Sequence, residues 1–228
     1  MPDDRIDVLD QGFVHVDGVL ADDLSVVNAA RVSFGTRRDE MDERDAGLVR
    51  FLMRERHGTP YEHNMFRFHV KCPLFVAREW QRHRIGSYNE RSARYSEMPD
   101  EFCVPAAEDV RTQTGRPGSY TFEPVDDDTA TFARQAIEAI YRQAYDAYRA
   151  LLDRGIAKEV ARSVLPVGLY TEFFWTVNAR SLMHFVSLRA HPSAQLEIRR
   201  YAEAVESLFA RHMPVTHEAF VAGGRAAP

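Results

Sequence analysis

Hydrophobic and polar residues alternate regularly in a short segment about one third of the way along the chain. Phe66, Phe68, Val70 and Cys72 are apolar, and arginine, histidine and lysine stand between them. This period of two is typical of a β-strand with one buried face, because successive side chains of a strand point to opposite sides. The pattern therefore predicts a half-buried strand, and Pro73 is expected to end it.

Other segments carry apolar residues at helical spacing. Asp22 and Asp23 offer an N-cap for a helix that turns Leu24, Val27 and Val32 toward a core. The same spacing predicts further helices over about 42–57, with Leu48, Phe51 and Leu52 facing inward, from 73 through 80, and over about 158–165, 179–188 and 193–212. Aromatic and β-branched residues predict one or two strands within 6–20 and another over 169–178.

The longest predicted helix runs from about Thr129 to Arg154, with Gly155 as its stop. Its inward face is expected to carry Phe132, Ile137, Ile140, Ala144, Tyr148, Leu151 and Leu152. The preceding segment 106–128 is polar and rich in Pro, Gly and Asp, which predicts an exposed insertion. Strands come first and last with several helices between them. The predicted fold class is therefore α+β, a single domain over residues 1–228 with a mostly antiparallel sheet packed by several helices.

Composition narrows the classes of protein to consider. The chain has 228 residues, is 45% hydrophobic and carries a net charge of -5, which excludes global disorder and argues against nucleic acid or a membrane surface as partner. Cys72 and Cys103 are too few for a disulfide framework, and neither a leader-like start nor an apolar run of membrane-spanning length is present. A cytoplasmic location is the resulting expectation.

Residues 82–95 carry the clearest chemical signal. Four arginines and one glutamate give this segment a charge of about +3 within an acidic chain. Guanidinium groups stay protonated and fit phosphate oxygens two at a time, while Ser, Asn and Tyr add neutral hydrogen bonds. Gly86 interrupts the preceding helix, so the rest of the segment is predicted to be a loop that holds an anion. An arginine-rich solvated face is the alternative interpretation.

The order of residues in this segment resembles the signature of the flavin-dependent thymidylate synthases. The signature reads Arg-His-Arg, two residues, Ser, one residue, Asn-Glu, one residue, Ser, one residue, Arg-Tyr, and every fixed position is present from Arg82 to Tyr95. Two further blocks resemble the same family: residues 57–63, His-Gly-Thr-Pro-Tyr-Glu-His, and residues 173–182, which run on to Leu188 and Arg189. Together the blocks extend from the N-terminal strands to the last predicted helix.

The resemblance implies a reaction and its cofactors. Members of the family make thymidylate from deoxyuridylate (dUMP), take a methylene carbon from 5,10-methylenetetrahydrofolate and reduce it with FAD, which NADPH recharges. They work as homotetramers whose flavin sites are shared between subunits. The different class of function left open is a nucleotide-phosphate-binding or hydrolytic protein that retains the arginine loop without flavin chemistry.

The resemblance also implies roles for individual residues. By position, the flavin contacts are Thr59, Arg82, His83, Arg84, Glu90, Asn178, Arg180 and His184. The dUMP contacts are Glu79, Arg82, Glu90, Arg91, Ser92, Arg94, Arg162 and Arg189. Arg189 is the catalytic candidate, because a guanidinium beside the uracil ring would stabilise the anion that develops there. Glu79 and His184 stand at positions where relatives also have Gln and Asn, respectively.

Several side chains have alternative interpretations. His57, Glu62, His63 and His69 include metal-ligand types, but no metal site is expected because His69 belongs to the polar face of a strand. Ser92 is expected to hydrogen-bond substrate rather than act as a nucleophile, since no base is indicated near it. Both cysteines, Trp80 and Trp175 are expected to be structural, and no Gly-rich dinucleotide fingerprint is present.

Overall fold

A computed structural model describes residues 4–116 and 118–228 of the chain. Its strands are β1 (Arg5–Val8), β2 (Gly12–Leu20), β3 (Met65–Pro73), β4 (Ser87–Glu90), β5 (Arg111–Arg116), β6 (Ser119–Pro124) and β7 (Tyr170–Asn178). Its α-helices are α1 (Asp23–Arg31), α2 (Glu43–Arg54), α3 (Thr59–Glu62), α4 (Leu74–Trp80), α5 (Asp127–Asp153), α6 (Lys158–Ala161), α7 (Ala179–Arg189), α8 (Leu196–His212) and α9 (Pro214–Ala222).

Five strands form one sheet in the order β1-β2-β3-β7-β4, and every neighbouring pair is antiparallel. The predicted α+β class with an antiparallel sheet packed by helices is confirmed. The period-two segment forms β3 as predicted, and its apolar residues are fully buried. None of the helices in the described part of the chain is long and apolar enough to cross a membrane.

The core between the sheet and the helices is strongly aromatic. Phe68 and Trp175 lie on adjacent strands and stack with ring centroids 5.6 Å apart. Trp80 of α4 stacks on Phe185 of α7 at 4.7 Å and meets Trp175 edge-on at 5.3 Å. Aromatic pairs of this kind add to the stabilisation that burial alone provides. These contacts join α4 and α7, the two helices that position the candidate site, to the same rigid sheet.

Helix capping explains one helix that sequence patterns missed. Asp22 caps α1 as predicted, and its carboxylate accepts a hydrogen bond from the Ser25 amide. Asp23, which is buried, instead accepts hydrogen bonds from the amides of Val215 and Thr216 at 2.9 Å each. A carboxylate at a helix N-terminus is stabilising. The carboxylate that caps the start of α9 therefore comes from almost the opposite end of the chain. No sequence pattern close to α9 can reveal it.

Some residues expected in the core are exposed. Val32 lies beyond the end of α1, in a 3-10 turn, and is 72% exposed. Phe51 of α2 is 41% exposed. On α5, Phe132 and Ile140 are exposed, and only Tyr148 of the seven predicted inward residues is fully buried. The physical reason is that α5 packs through its C-terminal half against a small second cluster of Met98, Phe102, Ala161 and Leu169. Within the described part of the chain, Phe132 and Ile140 of this stripe remain uncovered.

The segment 106–128 contains an antiparallel hairpin. β5 and β6 pair from Arg111 opposite Pro124 to Arg116 opposite Ser119, and nearly all of their residues are exposed. The long helix starts at Asp127, two residues before its predicted start, because the Asp126 carboxylate caps it by accepting from the Thr129 amide. The predicted helix over 193–212 starts later, at Leu196.

Candidate active site

The arginine-rich segment does not remain a loop after Gly86. Residues 87–90 form β4, an edge strand that pairs with β7, with Ser87 opposite Thr176. A Cβ at Gly86 would lie only 2.9 Å from Nε1 of Trp175, so glycine is required where the chain turns into this strand. The sequence signal was misleading because four residues are too few for a clear period, and pairing with β7 decides the conformation.

The Arg-His-Arg triplet sits immediately after α4. The hydroxyl of Tyr88 donates to the carbonyl oxygen of His83 at 2.7 Å, which ties the triplet to β4. Across from it, β7 ends at Asn178, whose side chain accepts from the Ser181 amide and so caps α7. The strand-to-helix turn and the triplet therefore face each other across one opening.

That opening is a cavity of about 730 Å³, within the size range of small-molecule sites. It is lined by Glu62, Arg82, His83, Arg84, Ile85, Asn178, Arg180, Ser181, His184, Leu188, Arg189, Ala227 and Pro228. Six of the eight predicted flavin residues are therefore brought together with the predicted catalytic Arg189. Residues 57–63, 82–84 and 178–189 meet here although they are far apart in sequence.

The cavity is rich in positive charge, and the protein neutralises only part of it. Among the described residues, no ion pair is made by Arg82 or Arg84, and both side chains are exposed to the opening. Arg180 is the third cation, and its Nη1 donates to Glu62 Oε1 at 2.5 Å while its Nε donates to the Pro228 carbonyl oxygen at 2.7 Å. This donor set fits a group that carries phosphates.

Arg189 is held in place by three hydrogen bonds. Its Nη1 donates to Glu79 Oε2 at 2.9 Å, and its Nη2 donates to the Glu79 carbonyl oxygen at 3.1 Å. Its Nε donates to Nε2 of His83 at 3.0 Å. The guanidinium plane is thereby fixed at the edge of the cavity. Glu79 lies in the last turn of α4 and His83 in the triplet that follows it, so the end of α4 and the triplet together orient the predicted catalytic residue.

The surroundings of His83 keep its ring neutral, so that it can accept the hydrogen bond from Arg189. Burial, together with the positive charge of Arg189 and the neighbouring His184, lowers the pKa of His83 to about 4. The imidazole is therefore neutral near pH 7, and its Nε2 can accept a hydrogen bond. Burial also raises the pKa of Glu79, although the ion pair with Arg189 opposes this shift. Arg189 thus stands between one carboxylate and one neutral ring.

Two predicted flavin residues lie outside the cavity lining. Thr59 begins α3, directly after Gly58, and a Cβ at Gly58 would come within 2.4 Å of Nε of Arg180. Thr59 is therefore beside the rim. Glu90 lies on the inner side of β4, where its Oε1 accepts from Thr171 Oγ1 at 2.7 Å and its Oε2 accepts from the Gln81 amide at 3.0 Å.

The remaining predicted substrate residues form a second group. Arg94 pairs with Glu159 of α6 at 3.1 Å, and its amide donates to Ser92 Oγ at 3.3 Å. Arg162 follows α6 directly in a 3-10 turn. Arg91 donates to the Glu97 carbonyl oxygen at 2.9 Å. Ser92, Arg94, Arg162 and Arg91 do not line the cavity around Arg189. Within one chain, the predicted dUMP contacts are thus divided between two places.

The alternative metal cluster is not assembled. His69 pairs with Glu172 on the outer face of the sheet at 3.1 Å, whereas Glu62 pairs with Arg180 in the cavity. No group of three or more His, Cys, Asp and Glu residues that could hold a metal ion occurs in ranges 4–116 and 118–228.

The two thiols are buried and free. Cys72 is fully buried on β3, and Cys103 is 6% exposed. Burial raises the pKa of Cys72 well above its usual value and that of Cys103 to about 12. Neither lines the cavity around Arg189, and a protonated buried thiol is a poor nucleophile.

Sequence reasoning missed some residues of the site. Three cavity residues could have been predicted from the sequence, because each lies inside or beside a matched block: Ile85, Ser181 and Leu188. Gln81 and Thr171, which hold Glu90, gave no signal of their own. Ala227 and Pro228 reach the cavity only because the chain folds back after α9.

Comparison with known proteins agrees with this site. Residues 16–215 match the family described as thymidylate synthase complementing protein. Relatives named flavin-dependent thymidylate synthase include one from Pseudothermotoga lettingae, 46% identical over 95% of this chain and 93% of the relative. Another, from Streptomyces coelicolor, is 48% identical over 91% of this chain and 90% of the relative.

A solved structure also matches over nearly the whole length. It is the UMP/dUMP methylase PolB from Streptomyces cacaoi bound with 5-bromo-dUMP, with a TM-score of 0.90 and 43% identity. The match covers 98% of this chain and 100% of that one. With parts of all three matched blocks around one cationic cavity, the chain belongs to the family of flavin-dependent thymidylate synthases, which are flavoenzymes and methyltransferases.

Proposed function

We propose that this enzyme converts dUMP to thymidylate with a methylene carbon from 5,10-methylenetetrahydrofolate, using FAD that NADPH reduces. The observation that carries the proposal is the cavity itself. It places two unpaired arginines beside a guanidinium, that of Arg189, whose orientation is fixed. The relatives are named flavin-dependent thymidylate synthases. This name argues against the alternative of a phosphate-binding or hydrolytic protein without flavin.

FAD is proposed to occupy the cavity. Arg82, Arg84 and Arg180 supply positive charge for its phosphates, and the side chains of Asn178 and His184 supply neutral polar contacts. Thr59 at the rim and Glu90 on β4 complete the proposed set. Bound flavin would supply the hydride that the methylene carbon requires.

Arg189 is proposed to activate the uracil ring. Its guanidinium would stabilise negative charge on the ring as C5 becomes nucleophilic, and a fixed donor does so without reorganising during the reaction. Glu79 and His83 supply that fixation. Because His83 is neutral, it removes no positive charge from Arg189 and adds none.

The phosphate of dUMP is proposed to bind the second group, Ser92, Arg94, Arg162 and Arg91. This group does not line the same cavity as Arg189 within one chain. A shared site in a homotetramer would bring the two groups together across a subunit boundary. The exposed apolar stripe of α5 supports such an assembly, since exposed apolar surface of this kind is typical of interfaces.

Two free, buried thiols support a reducing, cytoplasmic setting.

One further observation concerns the sugar of the substrate nucleotide, which is deoxyribose in dUMP and ribose in UMP. The solved structure with high similarity is named a UMP/dUMP methylase. Methylation of UMP is therefore the second candidate activity for this chain. A parallel assay with dUMP and UMP separates the two candidates.

The deciding experiment is a flavin titration followed by a product assay. We expect the purified protein to be yellow or to change the visible spectrum of added FAD, and to form thymidylate from dUMP, methylenetetrahydrofolate and NADPH. A well-folded protein that neither binds FAD nor methylates dUMP or UMP would contradict the proposal.

The double substitution of Cys72 and Cys103 by alanine is expected to leave most of the activity. Both thiols are buried with raised pKa values, and flavin and Arg189 together leave no step that needs a protein nucleophile. The measurement is the initial rate of thymidylate formation, with circular dichroism to confirm folding. Complete loss of activity in a folded, yellow variant would mean that a thiol takes part.

A further inference from the structure

A second cationic cavity lies between the hairpin and the start of α8. Its volume is about 560 Å³. Its lining includes Arg111, Tyr120 and Phe122 of the hairpin, and Pro192, Leu196 and Arg199 on the opposite side. Because the hairpin forms one wall, the 106–128 insertion creates a site that would not exist without it.

The charge of this cavity has one sign. Arg111 and Arg199 are its charged lining residues, and no carboxylate lines it within the described part of the chain. The cavity of about 790 Å³ beside it differs, because acids such as Asp109 line that one and Asp109 binds Arg200 through two hydrogen bonds. In a chain of net charge -5, two arginines facing a cavity without an acid favour an anionic ligand.

Arg111 is prepared for a ligand rather than for a protein partner. Its guanidinium lies 4.8 Å from the centroid of the Phe122 ring, which fixes its plane. Its Nε is buried and has no hydrogen-bond partner within ranges 4–116 and 118–228. Among the described residues the rest of the guanidinium makes no ion pair or hydrogen bond either, so Arg111, which is only half-buried, is free to bind a carboxylate or phosphate. The Arg199 side chain is 27% exposed, its Nη1 donates to the Pro192 carbonyl oxygen at 3.3 Å, and its Nε lies 3.8 Å from Glu203 Oε1.

The cavity also offers aromatic surface close to the active site. Tyr120 and Phe122 are nearly half exposed. The opposite wall, 192–196, begins three residues after Arg189, the last residue of α7. Consecutive Cα atoms are about 3.8 Å apart, so Pro192 lies within roughly 11 Å of Arg189 along the chain. The wall of this cavity is therefore joined to the catalytic candidate by a connection of only a few residues, which places the two cavities near each other on the chain.

We propose that this cavity is a subsite for the polyanionic tail of a cosubstrate. The shared chemistry is a chain of negative charges attached to a ring system. Two sources carry it: the glutamyl carboxylates of the reduced folate and the phosphates of the nicotinamide dinucleotide. This inference rests on the proposed function for the identity of the cosubstrates, whereas the anion site itself rests on Arg111, Arg199 and Phe122.

Calorimetric binding of two probes to the FAD-loaded enzyme tests the subsite. The probes are p-aminobenzoyl-triglutamate, which carries the folate tail alone, and NADPH. Arg111→Ala is expected to weaken one of them about tenfold, the loss typical of a charge-assisted contact. Arg116→Ala is the matched control, because Arg116 lies on the same strand, is exposed and does not line the cavity. We expect the control to leave both affinities unchanged.

The outcome identifies the source. A loss for the triglutamate probe assigns the site to the folate tail, and a loss for NADPH assigns it to the dinucleotide phosphates. Arg199→Gln, on α8, is expected to weaken the same probe, and this second variant does not depend on the folding of the hairpin. Wild-type affinity for both probes in both variants would overturn the proposal. A wild-type enzyme that binds a probe without forming thymidylate would contradict the proposed function instead.

Discussion

Replacing Arg189 by alanine is expected to lower kcat/KM for dUMP by roughly 30- to 5,000-fold, which corresponds to about 2 to 5 kcal/mol for truncating one partner of a buried charged contact. The loss follows from two effects. The variant lacks the proposed ring-activating donor, and it leaves Glu79 and His83, both partly buried, without their partner. The measurement is steady-state thymidylate formation at saturating methylenetetrahydrofolate and NADPH.

The flavin spectrum provides the control for this variant. Arg82, Arg84 and Arg180 are untouched, so we expect Arg189→Ala to bind FAD and remain yellow. Glu79→Gln is the matched comparison. It can still accept hydrogen bonds but loses the ion pair, and we expect a smaller loss than for Arg189→Ala. Near wild-type kcat/KM in Arg189→Ala would show that this residue does not activate the ring.

Mixing two inactive variants is expected to restore activity. Arg94→Ala and Arg189→Ala each remove one of the two separated groups of proposed dUMP contacts. If a site takes one group from each of two subunits, random assembly of an equal mixture leaves about a quarter of the sites with both groups intact. If subunits exchange freely, the rate of thymidylate formation is expected to rise from nearly zero to about a quarter of the wild-type rate.

Two controls make the mixing result decisive. Sedimentation should show a tetramer for the wild type and for both variants, and subunits must be exchanged by mild dissociation before the assay. The Arg94 and Arg189 substitutions combined on one chain, mixed with the wild type, provide the reference. Mixed assemblies that form but stay inactive would contradict a shared site and would place both groups in one subunit.

Local sequence determined the strand periods and most of the helix positions. β3 and β7 follow from alternating or aromatic segments, and α7 from its apolar spacing, because one face of each must be buried. Capping residues such as Asp22 act over three positions and are readable for the same reason. The order of residues over 82–95, with the blocks over 57–63 and 173–182, was also enough to identify the family.

Tertiary structure decided what lies beyond the reach of local patterns. β4 is a strand because β7 pairs with it, and the start of α9 is capped by Asp23 from the other end of the chain. The apolar face of α5 is largely exposed although its spacing predicts a buried stripe. Periodicity reports which side of an element is apolar, but it does not report whether anything packs there.

The same division applies to the site. The sequence by itself determined which residue types are available: the arginine-rich signature, Asn178, Arg180, His184 and Arg189. Only the folded chain shows that Arg189 is held by Glu79 and by a neutral His83, and that Arg94 does not share its cavity. The reason is that distances, burial and the resulting pKa values depend on which distant segments meet. The sequence shows where each arginine stands, but only the fold determines which side chains it contacts.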